Sequence, residues 1–179
     1  MPETSPISSI FIQPVQSVDA AKLARVARQA YQPHYRHIWT DDGAWYMRDQ
    51  FNARRLREEL SDPNALFYIA LLDGRPVGFL KLNRDATYES LEGDFLELER
   101  IYLMKRATGR GVGKALVHFT LDHARELGKD GVFLKAMDTS DALGFYEKMG
   151  FQTFYRYRLS YPLMKEELRG MVAMVQRLR

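Results

Sequence analysis

Apolar residues in this chain follow two different periods, and the changes from one to the other divide it into elements. Apolar positions alternate or run unbroken over residues 10–15, 65–72, 77–83, 95–103, 132–136 and 152–161, which predicts strands covered on one or both faces. Leu23, Val26 and Ala30 instead share a helical face behind a Ser17 or Asp19 cap, predicting a helix to about residue 31. A charge-rich helix is expected over 44–60, ending before Asp62-Pro63. Val112, Leu116, Phe119 and His123 continue at helical spacing until Gly128 or Gly131 stops them. A short helix around Phe145 ends at Gly150, and a terminal helix is expected over 164–178, just after Pro162. Asp73-Gly74 between two apolar runs predicts a hairpin, residues 84–93 read as an acid-rich connection, and residues 32–43 as an aromatic-rich loop. Hairpin, strand, helix, strand, helix, strand is an α/β order, a mixed sheet flanked by helices, and we expect one domain over residues 1–179.

Composition narrows the class. With 46% hydrophobic and 27% charged residues and no long apolar run, a soluble globular protein is expected, without a membrane partner. The polar start, residues 1–9, carries two prolines and no basic-then-apolar pattern, so a cytoplasmic chain without a secretory signal is expected. The absence of cysteine excludes disulfides, thiolate-held zinc and an acyl-cysteine intermediate, and no G-x-S-x-G elbow offers a serine instead. Neither pair of neighbouring histidines, His34 and His37 or His118 and His123, has a recognised metal spacing, so no metal is expected. A net charge of +3 without a long basic run makes nucleic acid a poor partner.

Gly109, Arg110, Gly111, Val112, Gly113 and Lys114 join the strand over 95–103 to the helix that follows. A glycine-dense turn at a helix start exposes main-chain N–H groups where the helix dipole adds positive potential, which suits a phosphate. Three residues separate Gly109 from Gly113 and Ala115 follows Lys114, against the four residues and the Ser or Thr of a P-loop, so ATP and GTP are disfavoured. The G-x-G-x-G spacing also departs from the dinucleotide fingerprint. A second segment follows, Ala142-Leu143-Gly144-Phe145-Tyr146-Glu147-Lys148-Met149-Gly150-Phe151.

The two segments together resemble the GNAT (GCN5-related) N-acetyltransferases, whose loop reads Q/R-x-x-G-x-G/A and whose later signature reads A-I/L-x-F/L-Y-E-K-x-G-F. Thr108 departs from the family at the first loop position. The resemblance implies a splayed mixed sheet and acetyl-CoA as co-substrate. It places the pyrophosphate on Gly109 to Lys114, with charge from Arg110 and Lys114, and the pantetheine along Ile101, Tyr102 and Leu103. Thr139 takes the place of a family asparagine that touches pantetheine, Tyr146 is the acid for the departing thiolate, and Glu97 is the base, with Glu99 in reserve or a water chain in place of both.

The residue types suit that chemistry. A primary amine titrates near about 10.4 and must lose a proton before it attacks, while a phenol near about 10 can protonate a thiolate whose parent acid titrates near about 8.5. Strict alternation would put Glu97, Glu99, Ile101 and Leu103 on one strand face and Leu96, Leu98, Arg100 and Tyr102 on the other. Six acids and no base lie over residues 85–99, which favours a cationic acceptor, and Tyr31, Tyr35, Trp39 and Trp45 could wall it. Residues 37–40 and 98–103 resemble the PaiA-like branch, implying a polyamine-like acceptor. The expectation is an N-acetyltransferase acting on a primary amine of a small molecule, with a homodimer left open. A protein lysine or N-terminus is the alternative acceptor, and a non-catalytic acyl-CoA-binding module the rival class.

Overall fold

The computed structural model describes residues 9–179; all but the last residue of the polar start lies outside the described residues. Among the described residues, seven strands form one sheet in the order β1-β2-β3-β4-β5-β7-β6. They are β1 (Ile10–Pro14), β2 (Ala65–Leu72), β3 (Arg75–Tyr88), β4 (Leu91–Leu103), β5 (Gly131–Met137), β6 (Gln152–Arg158) and β7 (Gly170–Arg177). The helices are α1 (Ala20–Tyr35), α2 (Ala44–Gln50), α3 (Ala53–Leu60), α4 (Val112–Glu126) and α5 (Ala142–Lys148). On one face α1 and α3 bury Leu23, Ala27 and Leu56 against Phe67, Ile69 and Phe79 of β2 and β3. On the other, α4 buries Val112, Leu116 and Val117 against Leu80, Leu82, Leu96 and Leu134. The sheet is therefore a middle layer, and its central strands are apolar on both faces.

All neighbouring strands run antiparallel except β4 and β5, which are parallel and joined by α4. That pairing covers four positions, from Phe95 with Gly131 to Leu98 with Leu134, although β4 runs on to Leu103 and β5 to Met137. Beyond Leu98 the two strands part, leaving their facing main-chain groups without a ladder partner. The splay expected from the resemblance lies here.

A β-bulge sits at the same level. Leu98 pairs with Leu82 and Arg100 with Lys81, so Glu99 is an extra residue without an opposite number. The bulge overturns the expected alternation of side chains. Leu96, Leu98, Ile101 and Leu103 all join the α4 core, whereas Glu97, Glu99, Arg100 and Tyr102 turn to the side of α1 and α3. Both carboxylates thus share a side with Arg100 and Tyr102.

Three further expectations change. The terminal segment is no helix: a 3-10 turn (Glu166–Leu168) leads into β7, an inner strand whose Val172, Ala173 and Met174 are all buried. Residues 44–60 form two helices, because Asn52 caps α3 by accepting from Arg55 N. Residues 84–93 are mostly strand, extending β3 and β4 into a longer hairpin.

Candidate active site

Three adjoining hollows lie along the splay. The first is a groove of about 450 Å³ between the β4 end (Ile101, Tyr102 and Leu103), the glycine loop and α5. A narrow middle space of about 100 Å³ shares Tyr35, Tyr102 and Tyr146 with the groove. It shares Glu99, Arg100 and Lys135 with an inner cavity of about 250 Å³ under α1 and α2. Tyr35 and Tyr102 line all three.

The groove suits an anion with an amide chain attached. Gly109 and Gly111 have φ of +74° and +79°, left-handed values that L side chains rarely adopt, and Gly111 caps α4. A Cβ at either would meet nothing within 4 Å, so the protein leaves that side open. A Cβ on Gly113 would be 3.6 Å from Leu103 Cδ1, consistent with close packing of the loop on β4. Lys114 lines the groove with Thr108, Gly109, Gly111, Val112 and Gly113. Arg110 is not among the lining residues and pairs with Asp73 at 3.1 Å. Thr139 is exposed in the turn after β5 and does not line the groove, whereas Ser140 lines the middle space. His34, expected in a loop, lies at the end of α1 with Nε2 2.7 Å from the Leu103 carbonyl. A carbonyl only accepts, so this nitrogen carries the proton and donates. The loop N–H groups, the α4 dipole, Lys114 and the unladdered β4 main chain together fit the diphosphate and amides of a CoA molecule.

Tyr146 lies on α5 between groove and middle space and is 7% exposed. Burial, then the neighbouring Tyr35 phenol, pushes its hydroxyl well above the ordinary phenol range. It therefore stays a neutral O–H donor across the working pH range.

The two glutamates divide. Glu97 sits in the paired part of β4, accepts from Asn83 Nδ2 at 2.8 Å, and meets Lys135 Nζ at 2.7 Å as an ion pair without hydrogen-bond alignment. It lines neither the middle space nor the inner cavity. Glu99, thrown out by the bulge, lines both. Its Oε2 accepts from Asn83 at 2.7 Å and lies 2.6 Å from Lys81 Nζ, and its Oε1 lies 3.3 Å from Arg100 Nε. Burial alone would raise its pKa, but the Arg100 and Lys81 charges and the bonds from Lys81 and Asn83 hold it below the usual carboxylate range. Glu59 of α3 closes the network, 2.9 Å from Lys81 and 3.1 Å from Arg100.

The acid-rich segment does not act as a unit. Asp85 and Asp94 both clasp the buried Lys129, at 2.5 and 2.7 Å, and Glu97 and Glu99 have the cationic partners just named. Glu89 and Glu92 lie at the hairpin tip and line neither the middle space nor the inner cavity. The negative field inferred from composition is thus largely neutralised.

The acetyltransferase (GNAT) family model matches residues 25–151, well over half of the chain. The chain belongs to that family. It is an acetyl-CoA-dependent N-acetyltransferase. Among relatives, an uncharacterised N-acetyltransferase of the pepI 3′ region in Lactobacillus delbrueckii subsp. lactis is 34% identical over 64% of this chain and 67% of its own length. Another, from Methanocaldococcus jannaschii, is 26% identical over 63% of this chain but only 45% of its own length. The PaiA N-acetyltransferase of Thermoplasma acidophilum, solved in complex with coenzyme A, superposes with a TM-score of 0.73 at 22% identity, covering 94% of this chain and 99% of that one. The ribosomal-protein-S18-alanine N-acetyltransferase of Escherichia coli superposes at 0.69 with 15% identity over 95% and 94%. Both likenesses are of fold. No helix among the described residues is long and apolar enough to cross a membrane.

Proposed function

We propose that the groove holds acetyl-CoA, that the inner cavity holds a small-molecule primary amine, and that acetyl passes between them in the middle space. The observation that carries this is the position of Glu99: the bulge puts a carboxylate between the two hollows where the β4–β5 ladder stops. The donor supplies an acetyl carbon already activated by its thioester. Glu99, directly or through a water, takes the ammonium's proton and passes it to solvent so that the neutral amine attacks, and then takes the second N–H proton as the C–N bond forms. Tyr146 gives its proton to the sulfur as the C–S bond breaks, and is reprotonated from solvent. Loop residues Gly109, Gly111, Val112, Gly113 and Lys114 bind the diphosphate, and Ile101 to Leu103 bind the pantetheine amides. Glu97 acts through Asn83, which donates to both carboxylates, and so positions Glu99. A polyamine-like acceptor loses part of its support, because four of the six acids that suggested it have cationic partners.

A calorimetric titration with acetyl-CoA, followed by thiol release in the presence of a panel of amines, tests the assignment. Binding with amine-dependent thiol release is expected. Binding without release under any amine or peptide would leave a non-catalytic acyl-CoA module.

A further inference from the structure

We infer that the acceptor is a monoamine carried on an aromatic or bulky apolar body, and not a polycation; this rests on the acetyl-transfer reading above and names its substrate class. The lining of the inner cavity carries the argument. Seven of its sixteen residues are aromatic, five are aliphatic or methionine, and four are polar: Gln50, Glu99, Arg100 and Lys135. The charged groups sum to one carboxylate against two cations. Moreover, the carboxylate already has Lys81, Arg100 and Asn83 around it, and Arg100 has Glu59 and Glu99. One nitrogen can meet Glu99 at the mouth. A second or third ammonium would have to lose its water among uncharged rings, six of them phenols, with no further carboxylate lining the cavity, and neutral hydroxyls and ring faces return less than the burial of a charge costs.

The rings are also arranged for a flat guest. Trp39, Tyr46, Tyr31 and Tyr35 form one continuous stack, with successive centroids 4.8, 5.1 and 4.8 Å apart and interplanar angles of 25°, 22° and 21°. Tyr161 and Tyr102 meet that stack edge-on. The indole Nε1 of Trp39 donates to the Tyr31 hydroxyl at 2.9 Å, fixing the ring planes. Inside the stack the ring faces cover one another, so the wall offers a guest ring edges already fixed in place, against which an aromatic body packs edge-to-face with little rearrangement. Tyr157, on the edge strand β6, also lines the cavity and is only partly buried, which makes it a site that tolerates change.

The test compares 2-phenylethylamine, spermidine and an alanine-terminated peptide as acceptors, by thiol release at saturating acetyl-CoA, with acetyl-CoA affinity measured separately by calorimetry. The aromatic monoamine should exceed spermidine in kcat/KM by roughly tenfold or more, the discrimination an apolar pocket can supply. Tyr157→Ala should raise the KM of the aromatic amine about tenfold while acetyl-CoA affinity holds, and Tyr157→Phe should restore it. Preference for spermidine or for the peptide overturns the inference and leaves acetyl transfer standing. Acetyl-CoA binding with no turnover of these three acceptors overturns the inference too, and if turnover is also absent across the wider panel of amines and peptides the acetyl-transfer reading falls with it. Failure of acetyl-CoA to bind at all would instead bring down the acetyl-transfer reading, and this inference with it.

Discussion

Lys81 Nζ stands 2.6 Å from Oε2 of Glu99, and the same ammonium lies 2.9 Å from Oε2 of Glu59. The carboxylate proposed as the base is thus tethered to helix α3 through a buried lysine on β3. The tether fixes the direction of Glu99 but also weakens it as a proton acceptor, because a carboxylate beside a cation holds its charge more firmly.

Replacing Lys81 by Met should therefore raise the pKa of Glu99. The acid limb of the kcat/KM profile should move to higher pH, and a limb that stays in place would remove Glu99 from the proton path. Stability should fall by about 1–3 kcal/mol at pH 7, since two partly buried carboxylates lose their shared partner. The sign with pH follows from the lowered pKa. The contribution of Glu99 is present above the unfolded carboxylate pKa and is lost as pH falls through the folded one. Urea denaturation at pH 7 and pH 3 should show the gap between wild type and variant narrowing in acid.

Tyr146→Phe should lower kcat by about 10²–10⁴-fold with acetyl-CoA affinity nearly unchanged, if its proton reaches the leaving sulfur. Because its pKa is raised, no alkaline loss of rate up to about pH 10 should trace to its ionisation. A melting curve completes the measurement. Full turnover with a lowered Tm would return Tyr146 to a packing role in α5.

Gly111→Ala should cost about 1–2 kcal/mol, since an L residue at φ +79° pays a steric penalty even with open space around its Cβ. Acetyl-CoA affinity should drop at least as far in Gly111→Val, where a branched Cβ stands over the N–H groups of the loop. Unchanged calorimetric affinity in both variants would move the anion site elsewhere.

Gly78 lies opposite Leu103, and a Cβ there would be 2.4 Å from the Tyr102 carbonyl oxygen and 3.1 Å from Leu103 Cα. Gly78→Ala must push back the main chain that lines the groove. We expect a loss of about 1–3 kcal/mol by overpacking, with a larger rise in the KM for acetyl-CoA than in the amine KM. Steady-state kinetics on the soluble variant would show whether the strand end is a binding element.

The glycine loop, the hairpin at Asp73-Gly74 and the strand–helix–strand order were legible because each depends on local chemistry. The terminal strand β7 was not. Its buried run Val172-Ala173-Met174 lacks alternation since neighbours cover both faces, so period alone cannot separate it from a helix. The side-chain phase of β4 was also hidden, for a bulge at Glu99 is set by pairing with β3 and leaves no mark in β4 itself. Likewise Lys129, distant in sequence from Asp85 and Asp94, gave no sign that it would neutralise both. His34 and Lys81 entered the site through tertiary placement alone.

The interrupted ladder between β4 and β5 bears on self-association as well. An unbonded strand margin ordinarily invites a strand from another molecule, and proteins guard their outer edges against it. In this chain such a margin lies at the centre of the sheet, facing a strand whose other side is occupied by β7 along its full length. A second chain could add there only by forcing β4 and β5 further apart, against the four paired positions that hold them together. A narrow, flexible molecule entering at the open end meets no such barrier, so the opening is guarded by its place in the strand order, and not by charge or proline.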